Sequence, residues 1–108
     1  MLNQCNFIGR LGRDPETRYT QSGKAVASFS LACSEKRGDE ESTEWVNVVA
    51  WEKLAEICGQ YLTKGSLVFI SGRMQTRKWQ DKEGGTRYTT EVVAREMKML
   101  DSRGGGDR

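Results

Sequence analysis

The sequence predicts an all-β domain: a five-stranded Greek-key barrel with one α-helix between the third and fourth strands. Apolar and polar residues alternate over several long segments, which is the period of half-buried strands. A single segment has the three- and four-residue apolar spacing of a helix. Gly9 and Gly72 interrupt two strands and permit the sharp bends that a small barrel needs. A small half-open sandwich is the competing architecture.

Turn signals separate these segments and fix their order. The sole proline lies in 13–17, a second turn falls at 21–24, and polar, glycine-containing stretches at 36–42 and 80–86 predict hairpin loops. Gly65 is placed to stop the helix. In chain order we therefore predict strands at 5–11, 25–33 and 43–51, a helix at 52–62, and strands at 66–79 and 87–100.

The length of 108 residues fits one domain with one modest core. We expect an ordered domain at 1–101 and a flexible, glycine-rich linker stub at 102–108. No apolar run is long enough to span a bilayer, and the start lacks the pattern of a secretory signal. Three cysteines without paired spacing indicate structural thiols in a reducing cytosol. A cytoplasmic protein without a membrane partner is therefore expected.

Charge is unevenly distributed although the net charge is only +2. Residues 35–44 hold five acids and two bases, whereas residues 73–87 hold five bases and two acids. A local basic stretch attracts polyanions even when the total charge is near neutral.

The residues needed for catalysis are missing from the sequence. Histidine is absent, and no GxSxG, GxGxxG or P-loop pattern occurs. The acidic residues lie in polar loops, where we expect ordinary pKa values. The lack of histidine and of any CxxC also argues against a zinc site. We therefore predict no enzymatic activity, no metal and no cofactor.

Three tryptophans are the candidate binding residues. In the strand at 43–51, Trp45 and Trp51 lie on the face opposite Val48, and Trp79 shares a face with basic residues. If Val48 points into the barrel, the indoles point outward, where unpaired nucleobases could stack on them. Duplex DNA fits less well, because no recognition helix is evident. Burial in the core, a subunit contact, and a protein-interaction module remain the alternatives.

Cations near these rings are the candidates for contacting phosphates. Arg77 lies two residues from Trp79, and Lys53 follows Trp51 closely. The predicted phosphate-binding residues are Arg10, Lys53, Arg73, Arg77, Lys78 and Arg87.

Several linked motifs resemble the bacterial single-stranded DNA-binding protein family over about residues 3–100. They include FIGRLGRDPETRY near the start, TEWVNVVAW, the KLAE helix, the YLTKGS corner and RKWQDKEGGTRYTTE. The resemblance implies an OB-fold and a homotetramer that wraps single-stranded DNA without strong sequence preference. It implies stacking roles for Trp45 and Trp79, and places Trp51 where the family has a stacking phenylalanine. Lys53, Arg77 and Lys78 match basic positions of the family.

The resemblance also matches two tyrosines, Tyr61 and Tyr88, which we interpret from the pattern as packing residues. Arg37 stands nearest to where other members have a further tryptophan, so that stacking position is lost or replaced by a cation. Val46 and Asn47 replace a histidine and an arginine in a region that contributes to subunit association in the family.

The resemblance further implies an acidic, hydrophobic C-terminal tip that recruits replication and repair enzymes, which this sequence does not contain. We expect such partners only if a longer tail exists. The predicted function is protection of single-stranded DNA in replication, recombination and repair, in a bacterial, nucleoid-associated protein. The alternative is a primosomal OB-fold accessory protein that acts mainly through protein contacts.

Overall fold

The computed structural model describes residues 1–101 and consists mainly of strands. The predicted linker stub at 102–108 lies outside the described residues. In chain order the elements are β1 (Cys5–Leu11), β2 (Glu16–Tyr19), β3 (Ala25–Arg37), β4 (Glu40–Trp51), α1 (Glu52–Tyr61), β5 (Leu67–Gln80) and β6 (Thr86–Met99).

Five of the strands close into a barrel. The order β1-β5-β6-β4-β3 is completed by a β1–β3 pairing, while β2 adds to the outer edge of β3. All pairings are antiparallel except β4–β6, where Val48 lies opposite Val92 in parallel register. A closed five-stranded barrel with one short helix confirms the predicted OB-fold, and the sandwich alternative is wrong.

The inward rows of the strands build the core. Leu31, Val48, Val68 and Ile70 are almost completely buried. Helix α1 adds a buried face that includes Cys58, and this burial raises the pKa of the Cys58 thiol to about 11. The thiol therefore stays protonated at neutral pH and behaves as a small apolar side chain, in keeping with its interpretation as structural.

Gly72 allows β5 and β6 to cross at close range. A Cβ at this position would overlap the carbonyl oxygen of Val93 and lie 3.0 Å from the Cα of Ala94. The ladder also shifts register between Ser71 and Gly72, which leaves one extra residue in β6. The predicted bend at Gly72 is thus a bulge, and only a residue without a side chain fits it.

Two elements differ from the prediction. The four exposed residues of β2 show no apolar alternation, so the strand is specified by its pairing with β3 rather than by its own pattern. The β3–β4 hairpin extends into the predicted loop at 36–42, because Lys36 pairs opposite Glu41 and Gly38 makes a tight turn at φ +63°.

The β5–β6 hairpin forms an arm that continues past the barrel, where most side chains are exposed on both faces. Met74, which the strand pattern places on the inward row, is therefore half exposed. The interpretation of Tyr61 and Tyr88 as packing residues is wrong within this chain, because both rings are exposed.

Residues 1–101 contain neither a membrane-spanning helix nor a cluster of metal ligands. No helix in that range combines the length and apolar character needed to cross a membrane. The same range contains no group of three or more potential ligands arranged to hold a metal ion.

We expect Gly72→Ala to destabilise the fold by about 3 kcal/mol, because the new methyl group must displace the Val93 carbonyl and strain the barrel. Urea unfolding followed by far-ultraviolet circular dichroism measures this. Ser71→Ala, one residue earlier in β5, is the control and should change the free energy of unfolding by about 0.5 kcal/mol or less. Equal stability of the two variants would contradict the close crossing.

Candidate nucleic-acid interface

The three tryptophans are all exposed. The exposed fraction is 59% for Trp45 and 41% for both Trp51 and Trp79. Trp51 ends the outward row of β4, and Trp45 lies near the middle of that strand, six residues earlier, which corresponds to about 20 Å along a strand. The predicted outward placement of these indoles is confirmed, and the alternative of burial in the core is wrong.

Strand register places the three rings on one continuous surface. Val49, which shares the row of Trp45 and Trp51 but is only 7% exposed, pairs with Val93 of β6, and Val93 pairs with Arg73 of β5. Trp79 lies further along that same row of β5. We call this surface the indole face, made of the outward residues Trp45, Asn47, Val49, Trp51, Arg73, Gln75, Arg77, Trp79, Arg87, Thr89, Glu91 and Val93.

The ring of Trp45 lies directly against Gly12. A Cβ on Gly12 would be 2.6 Å from Cζ3 and 3.0 Å from Cη2 of this indole. The Gly12 amide donates a hydrogen bond to the Ser30 carbonyl at 3.1 Å, so the backbone beneath the ring is held by β3. Beside the ring is a cavity of about 250 Å³ lined by Gly12, Arg13, Ser30 and Trp45. One side of the indole is thus supported by backbone while the cavity remains open to a ligand.

Trp79 is fixed by a hydrogen bond across the arm. Its Nε1–H donates to Oγ1 of Thr89 at 2.8 Å, which satisfies the only polar group of the indole. Thr89 lies on the neighbouring strand and on the same face. The ring is therefore held in one orientation although it is exposed, which lowers the entropy cost of placing a flat ligand against it.

A groove of about 290 Å³ lies beside the Trp45 cavity and reaches Thr89, although neither Trp45 nor Trp79 lines it. It shares Arg13 and Ser30 with the cavity beside Trp45, and it includes Thr89, the hydrogen-bond partner of Trp79. Its floor contains Asn47, one of the positions where the sequence departs from the family pattern. We call it the central groove; its polar lining residues are Arg13, Asp14, Glu16, Ser28, Ser30, Asn47, Arg77, Thr89 and Glu91.

Two of the predicted phosphate-binding arginines on the indole face are paired with carboxylates. The Nε of Arg77 donates to Oε1 of Glu91 at 3.3 Å, and the Glu91 side chain is only 10% exposed. The Nε of Arg87 donates to Oδ2 of Asp81 at 2.9 Å. Both arginines keep about half or more of their side chains exposed, so their remaining N–H groups stay accessible.

Asp81 organises the loop at the tip of the arm. Its Oδ1 accepts hydrogen bonds from the backbone amides of Glu83 and Gly85, at 3.0 and 2.8 Å. The hydrogen bond from Arg87, together with these amides, lowers the pKa of Asp81 below its usual value. The expectation that loop carboxylates keep ordinary pKa values is therefore wrong at this position.

The other predicted phosphate-binding residues are spread more widely. Arg73 is on the indole face, where its Nη1 donates to Gln75. Lys53 is exposed in the first turn of α1, close to Trp51. Lys78 alternates with Arg77 and Trp79 and so lies on the opposite face of the arm.

Arg10 is held away from the indoles. The register places it opposite Ala32, which pairs with Trp45, but its guanidinium donates to the Gly65 carbonyl at 2.9 Å. Its Nη1 is also 3.8 Å from Oδ2 of Asp101. The structure thus brings Arg73, Arg77 and Arg87 together on the indole face and leaves Arg10 and Lys78 outside it.

Sequence reasoning missed four residues of this surface. Gly12 lies between the predicted strand at 5–11 and the predicted turn at 13–17, Arg13 begins that turn, and Thr89 and Glu91 fall within the predicted strand at 87–100. The signal for Thr89 and Glu91 was their shared parity with Arg87 on β6. No local signal indicates that Gly12 and Arg13 meet Trp45, since more than thirty residues separate them in the sequence.

Comparisons with known proteins agree with this geometry. The model of the single-strand binding protein family matches residues 2–100. A single-stranded DNA-binding protein of Neisseria meningitidis serogroup A is 53% identical over 107 residues, and its serogroup B counterpart has the same identity. Single-stranded DNA-binding protein 1 of Chlorobaculum tepidum is 50% identical over 111 residues.

These alignments cover most of this chain but not all of its relatives. The matches to the two Neisseria proteins include 94% of this chain and 62% of each relative. The Chlorobaculum match includes 97% of this chain and 68% of that protein. The chain thus spans somewhat under two thirds of the length of the Neisseria relatives.

We expect Gly12→Ala to push the Trp45 ring outward, because the added methyl group meets the movable edge of an indole rather than backbone. In a Trp51→Phe, Trp79→Phe background, the remaining emission should shift to the red and become more accessible to acrylamide. The background protein with glycine at position 12 is the control. An unchanged spectrum would show that the ring does not rest on Gly12.

Proposed function

The chain belongs to the single-strand binding protein family, and we propose that it binds single-stranded DNA on the indole face. The observation that carries this proposal is the exposure of Trp45, Trp51 and Trp79 on the same face of the strands, beside a groove that includes Thr89, the hydrogen-bond partner of Trp79. Bases stack on the three rings, and basic side chains around them pair with the phosphates. The names of the relatives, which are single-stranded DNA-binding proteins, support the same ligand.

Stacking explains why large apolar rings are kept in contact with water. Exposed indoles favour association with any flat apolar partner, and an unpaired base offers such a face whatever its sequence. Each stacked base contributes about 1–3 kcal/mol, so three rings supply substantial affinity without reading base edges. Binding should therefore show little sequence preference.

Phosphate contacts supply the remaining affinity. Arg77 and Arg87 flank Trp79 on the indole face, Arg73 lies further along the same row of β5, and Lys53 lies beside Trp51. Lys78 lies on the other face of the arm, and Arg10 lies on β1. These two residues contact phosphates only if the bound DNA strand continues around the barrel. Each phosphate neutralised releases counterions, so affinity should fall with salt by a slope of about −0.7 per contact.

The family consists of DNA-binding proteins rather than enzymes, which confirms the prediction that this chain is not an enzyme. The role we propose is to cover and protect single strands during replication, recombination and repair. Cytoplasmic location on nucleoid DNA follows from that role and from the bacterial origin of the relatives. Replication and repair proteins are proposed partners of a longer tail, since the relatives extend beyond the matched region.

We further propose that the protein acts as a homotetramer. Apolar side chains outside the indole face remain exposed in the single chain, among them Ile8 on β1 together with Met74 and Tyr88 on the arm. Contacts between copies would cover such side chains. Several indole faces in one assembly would let a long strand wrap around it.

Titration with oligo-dT tests the proposed function. Tryptophan emission should be strongly quenched by the single strand and unaffected by duplex DNA. Trp79→Ala should weaken binding by about 1–3 kcal/mol, or roughly 5- to 150-fold, with little change in fold stability. Tyr61→Ala, which removes an exposed ring away from the indole face, is the control and should bind normally.

The same titration separates the alternatives. Emission that does not change with oligo-dT would favour a protein-interaction module. Weak quenching, combined with capture of helicase-loading proteins, would favour the primosomal accessory role.

Light scattering tests the assembly. A homotetramer of 12.2 kDa chains has a mass of about 49 kDa, and one tetramer should bind one 70-mer of single-stranded DNA. A monomer mass at micromolar concentration, with several chains loaded on each 70-mer, would contradict the tetramer while leaving DNA binding intact.

A further inference from the structure

Arg13 lies outside the basic stretch at 73–87, and although it belongs to the FIGRLGRDPETRY motif it is not among the predicted phosphate-binding residues. It lines both the central groove and the cavity beside Trp45, and its side chain is exposed. We propose that Arg13 is a principal phosphate-binding residue of the indole face and pairs with the nucleotide whose base stacks on Trp45. This inference rests on the proposed function and deepens it.

The backbone that carries Arg13 is fixed on both sides. The Gly12 amide donates to the Ser30 carbonyl at 3.1 Å, and Oδ1 of Asp14 accepts a hydrogen bond from the Lys64 amide at 2.8 Å. A guanidinium presented from a fixed turn loses less conformational freedom on binding than one on a mobile loop. The turn therefore delivers a positioned cation to the edge of the Trp45 cavity.

Arg13 also differs in its partners from Arg77 and Arg87, the paired arginines of the indole face. Within residues 1–101, no hydrogen bond or ion pair of its guanidinium is found, whereas Arg77 and Arg87 each bind a carboxylate. A phosphate that approaches Arg77 or Arg87 must compete with Glu91 or Asp81 for the cation. A phosphate at Arg13 meets all five N–H donors of an unoccupied guanidinium, in the fork geometry that suits a bidentate contact.

The acidic lining of the central groove limits where phosphates can lie. Asp14, Glu16 and Glu91 all border it, so the groove repels phosphates and is better suited to bases. Arg13 and Ser30 line both this groove and the Trp45 cavity, and Arg13 is the cation at the boundary between them. A strand with its base on Trp45 can place its phosphate at that boundary and avoid the carboxylates.

To test this, oligo-dT affinity is measured at several salt concentrations for the wild type and for proteins with single arginine replacements. Arg13→Gln should lower the magnitude of the slope of log affinity against log salt by about 0.7, the loss of one phosphate contact. Affinity at low salt should fall about fivefold, and equally for dT and dC oligomers. Arg13→Lys should keep the slope, because the charge remains, with an affinity between those of the wild type and Arg13→Gln.

Arg95→Gln is the matched control. It removes the same charge from an exposed arginine on β6 that lines neither cavity, so it reports the effect of net charge alone. Arg87→Gln is the second comparison and should change the slope less than Arg13→Gln, since Arg87 is already paired with Asp81. Circular dichroism should show all four variants folded.

The outcomes separate this inference from the proposed function. A wild-type protein whose emission oligo-dT does not quench would remove the proposed function and this inference together. Normal quenching, with an Arg13→Gln slope equal to that of Arg95→Gln, would overturn the assignment of Arg13 alone. A larger change for Arg87→Gln than for Arg13→Gln would also overturn it, because paired arginines would then carry the phosphates.

Discussion

The two-residue period of β4 is the constraint on which both the core and the binding surface depend. Val48 and Ala50 are buried inside the barrel, and Val48 lies opposite Val92 in the parallel pairing of β4 with β6. Because neighbouring side chains of a strand point to opposite faces, burying these two residues obliges Trp45 and Trp51 to point outward. A one-residue slip of register would bury the indoles and expose Val48. The strand register that forms the core therefore also places the rings on the outside.

Residues whose position depends on strand period were predictable from the sequence. The outward placement of Trp45, Trp51 and Trp79 follows from alternation, and the bend at Gly72 follows from the absence of a side chain. Features that depend on a partner strand were not predictable in this way. Strand β2 has no alternation of apolar and polar residues of its own. Met74 and Tyr88 are exposed because the arm continues past the end of the barrel. The outward placement of the three tryptophans is confirmed, whereas their roles in binding stay predictions.

Pairing across strands also decides how the cations can act. Glu91 is fourteen residues from Arg77 in the sequence, yet they meet because β5 and β6 fold back on one another. A count of charges along the sequence treats Arg77 and Arg87 as free cations. In the fold, Glu91 and Asp81 partly neutralise them. In each pair the arginine is half or more exposed while the carboxylate is mostly buried, so a phosphate must compete with a fixed carboxylate for the guanidinium.

Two glycines permit close contacts, one between strands of the barrel and one on the binding surface. Gly72 lets two strands cross, and Gly12 lets the Trp45 indole lie on the backbone of the β1–β2 turn. That turn is tied to β3 through Ser30, which lines the central groove, and thereby brings Arg13 to the edge of the ring. A bulky residue at position 12 would separate the indole from the cation while leaving the barrel closed. The geometry of the binding surface is therefore determined by contacts between segments distant in sequence, and the composition of the basic stretch describes only part of it.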